Sequence, residues 1–290
     1  MTPAALPRED FFVEIAPAGG TLRLAARRLG RFDAGRPVLV FLHEALGSIG
    51  QWKSFPEELA GRTGLPALVY ERQGHGRSTP LALPRDDGYL RHEAEVVLPA
   101  VLEACGIARP VLFGHSDGST IALMHAVAFP AVPAACIALA PHIMVEEATL
   151  AGIRAAEADP GAAEVRRRLQ RYHGDRTETL WRAWAETWLR PGFAGCELRE
   201  RLPRLACPTH AIQGADDAYG SAAQIELIAG RAAGPVETLL LPGCGHQPHL
   251  ERREAVLASV GDFLVRHGVA RTDGAAAGSG KNRPPGLHES

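Results

Sequence analysis

Short apolar runs recur along the chain, and the stretches between them carry apolar residues at helical spacing. "FFVEI" (11–15) and "TLRLAARRL" (21–29) read as a hairpin pair joined by Gly19-Gly20. Six more runs follow: "PVLVFLH" (37–43), "PALVYE" (66–71), "PVLFGH" (110–115), "AACIALA" (134–140), "PTHAIQG" (208–214) and "VETLLLP" (236–242). These six are continuously apolar and mostly preceded by Pro or Gly, the pattern of strands covered on both faces. Helical pattern occupies 52–62, 89–105, 118–129, 221–233 and 250–267. In "YLRHEAEVVLPAVLEACG" it runs to a stop at Gly106, with a kink expected at Pro99. Strands alternating with helices predict a doubly wound α/β sheet.

One interval breaks the alternation. Residues 142 to about 205 lack a convincing strand and carry helical pattern, clearest in "LWRAWAETWL" (180–189). Three of the four tryptophans, Trp181, Trp184 and Trp188, sit there. The interval reads as a helical insertion over the C-terminal edge of the sheet; the ordinary alternative is a run of core helices. The expected organisation is a core of residues 1–141 and 206–270, a helical cap at 142–205 and a tail at 271–290. The tail is rich in Gly, Ala, Ser and Pro and is expected to stay disordered, because it offers too little apolar surface to offset ordering entropy.

Bulk numbers narrow the classes. The 290 residues suit one large domain, 46% are hydrophobic and the net charge is −2. No basic field points to nucleic acid or an anionic membrane surface. The most apolar stretch, 126–141, is broken by Pro130, Pro133 and Pro141 and is too short to span a bilayer. Five cysteines (105, 136, 196, 207 and 244) are odd in number and show no CxxC spacing, which predicts reduced thiols and a cytoplasmic protein. The opening "MTPAALPRED" does not read as a secretory signal.

The chemistry gathers where apolar runs end. "PVLFGH" supplies a strand, "DGSTIALMHAVAF" supplies a helix, and Gly114-x-Ser116-x-Gly118 lies between them. That is the nucleophile elbow, a tight turn that holds one hydroxyl above a sheet. The Asp117 amide at the helix start can face developing negative charge. A serine needs a base, and the base needs an orienter. Asp216 and Asp217 follow "PTHAIQG", and His246 stands in the glycine-rich loop "GCGHQPH" after the last run. Asp217 is preferred because it stands three residues past Gly214; Asp216 is the alternative and could cap the next helix. His249 is the rival of His246. "HQPH" has loose metal-ligand spacing, but no further Cys/His cluster completes a site, so no metal and no cofactor are expected. His115 reads as a packed core residue and Cys244 as a small packing residue. The second oxyanion donor is expected from "FLHEALGS" (41–48), with the Ala45 amide preferred over that of Leu46. Glu44 in that loop is unusual, since a carboxylate there would oppose the charge that forms.

Taken in order, "FLHEALGS", "YERQGHGRS", "GHSDGS", "QGADD" and "GCGH" resemble the α/β-hydrolase superfamily over nearly all of residues 10–268. The resemblance implies an α/β-hydrolase fold: a mostly parallel eight-stranded sheet, an elbow serine, an acid and a terminal histidine. Glu44 departs from it, standing where the superfamily usually has glycine. "SDG" at 116–118, "LPRLACP" and the helical insertion resemble the valacyclovir hydrolase (biphenyl hydrolase-like) branch. In that branch the residue after the nucleophile is an Asp that helps bind a substrate amine, which would give Asp117 a substrate-binding role. The competing role is stabilisation of a helix start.

The expected function is a serine hydrolase of small carboxylic esters or related acyl compounds. Ser116 is the nucleophile, His246 the base, Asp217 the orienter, and the amides of Ala45 and Asp117 the oxyanion donors. The expected partner is a small-molecule substrate, with the three tryptophans candidates for lining its pocket and plain packing their ordinary role. The alternatives are a carbon–carbon bond hydrolase of ring-cleavage products and a catalytically silent ligand receptor on the same fold. An Asp-nucleophile enzyme is disfavoured because position 116 is Ser.

Overall fold

The computed structural model describes residues 6–17 and 20–270. The tail at 271–290 and Gly19 of the hairpin turn lie outside the described residues. Each of the eight apolar runs forms a strand: β1 Arg8–Ile15, β2 Leu22–Leu29, β3 Val38–Leu42, β4 Ala67–Tyr70, β5 Pro110–His115, β6 Ala135–Leu139, β7 Thr209–Gly214 and β8 Val236–Leu241. They make one sheet in the order β1-β2-β4-β3-β5-β6-β7-β8. The β1/β2 and β2/β4 pairs are antiparallel and the remaining pairs parallel.

Alternation along the inner strands fills two cores. Val38, Val40 and Leu42 of β3 face one, while Leu39 and Phe41 face the other. β3, β5, β6 and β7 are buried along their whole length, as expected of strands covered on both faces. β8 departs from that expectation: it is an edge strand, and Leu240 is 46% exposed. Its apolar run looked like the inner ones because position within a sheet leaves no local mark.

Helices cover both faces. α1 (Phe55–Thr63) takes Pro56 in its first turn and stops at Gly64, which adopts the left-handed conformation. α2 is built from Tyr89–His92, a wide π turn at Glu93–Val97, and Leu98–Ala104. The kink expected at Pro99 is taken up by that turn, since proline cannot donate to the carbonyl four residues back. α3 (Asp117–Ala128) is buried on every side except at its last residue, and its sequence is apolar nearly all round for that reason.

Between β6 and β7 lie α4 (Glu147–Ala158), α5 (Ala162–His173) and α6 (Thr177–Trp188). No strand occurs among them. α7 (Ala223–Arg231) and α8 (Arg253–Arg266) complete the chain order. The helix expected over 250–267 is divided, with a short turn at Pro248–Glu251 before α8, because Arg252 leaves helical geometry at φ −127° and ψ 42°. Among the described residues, no helix is long and apolar enough to cross a membrane.

Candidate active site

The β5-to-α3 turn sets the geometry. Ser116 has φ 52° and ψ −119°, a region that L-residues rarely occupy and that costs on the order of 1–3 kcal/mol. The conformation is held on both sides. The Ser116 amide donates to the Leu139 carbonyl at 2.9 Å, and the Ser116 carbonyl accepts from the Ser119 amide at 2.9 Å. Gly118 must lack a side chain, since a Cβ there would lie 1.9 Å from the Leu42 carbonyl oxygen. The spacing seen in the sequence is thus a packing requirement between the elbow and β3.

Asp217 and His246 meet at the ends of β7 and β8. His246 Nδ1 lies 2.8 Å from Asp217 Oδ2. The same carboxylate accepts from the Tyr219 amide at 2.8 Å and from Gln213 Nε2 at 2.6 Å. Burial pushes the Asp217 carboxyl upward, but the His246 hydrogen bond and charge and the Tyr219 amide hold it below the usual aspartate value. A close approach joins the two loops: a Cβ on Gly214 would sit 2.1 Å from the Gly245 carbonyl oxygen. Asp216 is exposed. His249 is buried against Trp52, Phe55 and His115, and burial lowers its proton affinity.

Ser116 and His246 line one cavity of about 490 Å³. They face it together without a direct hydrogen bond between their side chains, a spacing common before substrate closes such a site. Ala45 and Asp117 line the same cavity, and among the described residues no carbonyl accepts from either amide. Leu46, Ile153, Trp181, Trp184, Trp188 and Tyr219 supply much of the apolar wall. Such a volume lies within the range of small-molecule pockets.

Asp117 is placed differently from a substrate-amine ligand. Its side chain is 1% exposed, accepts from the Tyr89 hydroxyl at 2.7 Å and lies 3.8 Å from Arg72. Tyr89 in turn accepts from Trp188 Nε1 at 3.0 Å. The carboxylate is committed to the interior, so the amine-binding role does not enter the function proposed below.

Glu44 faces inward with its side chain 22% exposed. Its carboxylate lies 3.5 Å from His115 Nδ1 and 3.4 Å from Gln51 Nε2. Burial raises the Glu44 carboxyl, but the hydrogen bond and charge of His115 more than offset this and hold it below the usual glutamate value. His115 Nε2 lies 2.7 Å from the His246 carbonyl oxygen, which can only accept. His115 is buried, as its core reading requires, and it also links the unusual loop acid to the histidine loop.

Two further residues brace the loops around the site. Arg72, 2% exposed, donates to the carbonyls of His43 at 3.2 Å and Glu44 at 2.9 Å. The Arg72 amide donates to His43 Nε2 at 3.0 Å, so His43 carries its proton on Nδ1 and donates to the Glu44 carbonyl at 2.7 Å. His173, from α5, accepts from the Gly76 amide at 3.0 Å and donates to the Leu46 carbonyl at 2.9 Å. Both residues act through long-range contacts, and neither stands in a pattern that announces them. Cys244 is buried and its thiol is pushed up to about 11, so it stays protonated. Among the described residues no group of three or more His, Cys, Asp or Glu is arranged to hold a metal ion.

These features define a hydrolase-type fold. The chain belongs to the alpha/beta hydrolase family, whose sequence pattern matches residues 39–259. It is 25% identical to the 2-succinyl-6-hydroxy-2,4-cyclohexadiene-1-carboxylate synthase of Serratia proteamaculans (strain 568), over 84% of this chain and 100% of that protein. Among solved structures it resembles a thermophilic esterase from Thermogutta terrifontis (TM-score 0.67, 20% identity, 89% of this chain and 99% of that one). It also resembles a 2-hydroxy-6-oxo-6-phenylhexa-2,4-dienoate hydrolase from Rhodococcus sp. strain RHA1 (TM-score 0.71, 17% identity, 91% and 100%). At these identities the structural likeness speaks for the fold.

Proposed function

We propose that the protein is a serine hydrolase that cleaves a small carboxylic ester through an acyl-enzyme. The observation that carries this reading is the hydrogen-bonded Asp217–His246 pair, with His246 lining the same cavity as a conformationally strained serine. Ser116 Oγ attacks the ester carbonyl while His246 Nε2 takes its proton. The amides of Asp117 and Ala45 stabilise the tetrahedral oxyanion. His246 returns the proton to the departing alcohol, leaving an acyl group on Ser116. Water then attacks the acyl carbonyl, giving a proton to His246, which returns it to Ser116 Oγ as the acyl–oxygen bond breaks and the free acid leaves. Asp217 fixes the tautomer and stabilises the imidazolium. The chemistry needs no cofactor.

The insertion at 142–205 acts as the cap, and its Trp181, Trp184 and Trp188 favour a substrate with an apolar or aromatic group. A cytoplasmic setting belongs to the same proposal, supported by five scattered cysteines, none disulfide-bonded.

Carbon–carbon bond cleavage by the same residues is the second reading, favoured by the similarity, over 84% of this chain, to a protein named as the synthase of a cyclohexadiene carboxylate. A panel of aryl and alkyl esters set against vinylogous diketo acids separates the two. The ester reading expects turnover of aryl esters that is lost in His246→Ala. Turnover confined to the diketo acids would favour the second reading. No turnover of either class would leave a ligand-binding role on this fold.

A further inference from the structure

A second cavity, about 320 Å³, lies behind the elbow and is lined by Arg72, Leu81, Arg85, Tyr89 and Glu93 among others. It shares no lining residue with the catalytic cavity. Arg85 is its unusual member. The residue is 5% exposed, yet among the described residues its guanidinium donates no hydrogen bond and no carboxylate stands within ion-pair distance. Its main neighbour is the Tyr89 ring, whose centroid lies 4.6 Å from Cζ. Nη1 is buried without a partner, and so is Nε of Arg72. A buried cation with no counter-charge is among the costliest features a protein can carry. Chains that keep one usually supply the missing charge from outside.

We infer that this cavity is a binding site for a small monocarboxylate, held by the guanidinium of Arg85. The planar fork of an arginine matches the two oxygens of a carboxylate. Charge accounting selects a monoanion. Arg72 already has Asp117 at 3.8 Å, which leaves Arg85 as the one cation without a partner. Glu93 also lines the cavity, and its Oε2 has no hydrogen-bond partner. Burial pushes the Glu93 carboxyl upward, toward the neutral form that can donate a proton to an anion. Ionised, it would repel a dianion such as phosphate more than a monoanion. Asp86, on the rim, is committed to the Gly88 amide at 2.7 Å. Leu81 and the Tyr89 ring give the short carbon chain of the acid an apolar wall.

The site lies one contact from the catalytic machinery. Tyr89 bonds to Asp117, which lines the catalytic cavity, and Arg72 holds the carbonyls of His43 and Glu44. The inference itself concerns binding and stands apart from the proposed ester hydrolysis.

The experiment is a titration of the full chain with sodium acetate and sodium propanoate, at constant ionic strength against sodium chloride, read by calorimetry and by the thermal midpoint. Saturable carboxylate binding with a rising midpoint is expected. Arg85→Met and Leu81→Trp should each weaken it at least tenfold, the second by filling the cavity with the guanidinium intact. Trp184→Ala, in the catalytic cavity, should leave it unchanged. Equal midpoints in acetate and chloride, binding retained in both Arg85→Met and Leu81→Trp, or tighter binding of phosphate than of acetate would each overturn the assignment.

Discussion

The sheet-borne loops and the helical insertion meet at one cavity, and they are built in opposite ways. Loops at the C-terminal ends of β5, β7 and β8 carry polar side chains fixed by short hydrogen bonds. Asp217 alone accepts from His246, Tyr219 and Gln213. The insertion instead offers Ile153, Leu169 and three tryptophans. Polar links from it run through His173, Trp188 and Thr149, the last donating to the Tyr219 carbonyl at 2.6 Å, and they brace the loops from outside. Chemistry needs atoms held to fractions of an ångström, and hydrogen-bonded networks supply that. Selection of an apolar substrate needs shape and area, which packed aromatic rings supply. Changes in the first region should therefore cost turnover, and changes in the second should move substrate preference.

The largest expected effect is from His246→Ala, which should lower kcat on an activated aryl ester by about 10⁴-fold or more without lowering the thermal midpoint greatly. Asp217→Asn follows, with a loss of about 10⁴-fold in kcat at unchanged fold, since the histidine would then hold the wrong tautomer. Circular dichroism alongside steady-state kinetics checks both. Trp184→Ala should behave differently. A change of about tenfold in KM between aryl and short alkyl esters is expected, with kcat nearly unchanged. A loss of kcat as large as that of Asp217→Asn would erase the contrast between the two regions.

The smallest effect lies at the seam. His142 follows β6, with its ring 5.3 Å from that of Trp188 and 5.9 Å from that of His246. Burial lowers it from 6.5 to about 3, and burial also lowers His43, His75 and His249. Above the unfolded value of 6.5 these histidines are neutral in both states and add no pH dependence. Below it the unfolded chain binds protons that the native state refuses. Stability is therefore full above that pH and falls as pH drops toward 3, by up to about 1.4 kcal/mol per pH unit for each histidine. From pH 7 to pH 6 the share of His142 is under about 1 kcal/mol. Urea midpoints across pH 7 to 5 for the wild type and His142→Gln would read it. A slope that steepens in the variant would contradict the assignment.

The same contrast explains what could be read from the chain beforehand. The strands are local signals, because a run buried on both faces must be apolar whatever lies around it. All eight runs appear as strands within a few residues of their expected ends. The elbow is also local, since Gly118 answers to one carbonyl of the adjacent β3. Asp217 is preferred over Asp216 because it stands three residues past Gly214, His246 is offered by its glycine-rich loop after the last strand, and the structure brings the two to 2.8 Å. The rest depends on distant partners. Nothing near Asp117 shows that Tyr89 and Arg72 claim its carboxylate, and nothing near β8 marks it as an edge. The insertion is legible as helical and as lying over the C-terminal edge of the sheet, but the role of its tryptophans is not, because tryptophans at helical spacing look alike in a core and in a pocket wall.

The central claim is that Ser116 is the nucleophile and His246 its base. Intact-protein mass spectrometry after exposure to a fluorophosphonate tests it most directly. One adduct per chain is expected, mapping to the peptide that contains Ser116, absent from Ser116→Ala and strongly slowed in His246→Ala. Equal labelling of Ser116→Ala, or an adduct on another residue in the wild type, would contradict the account.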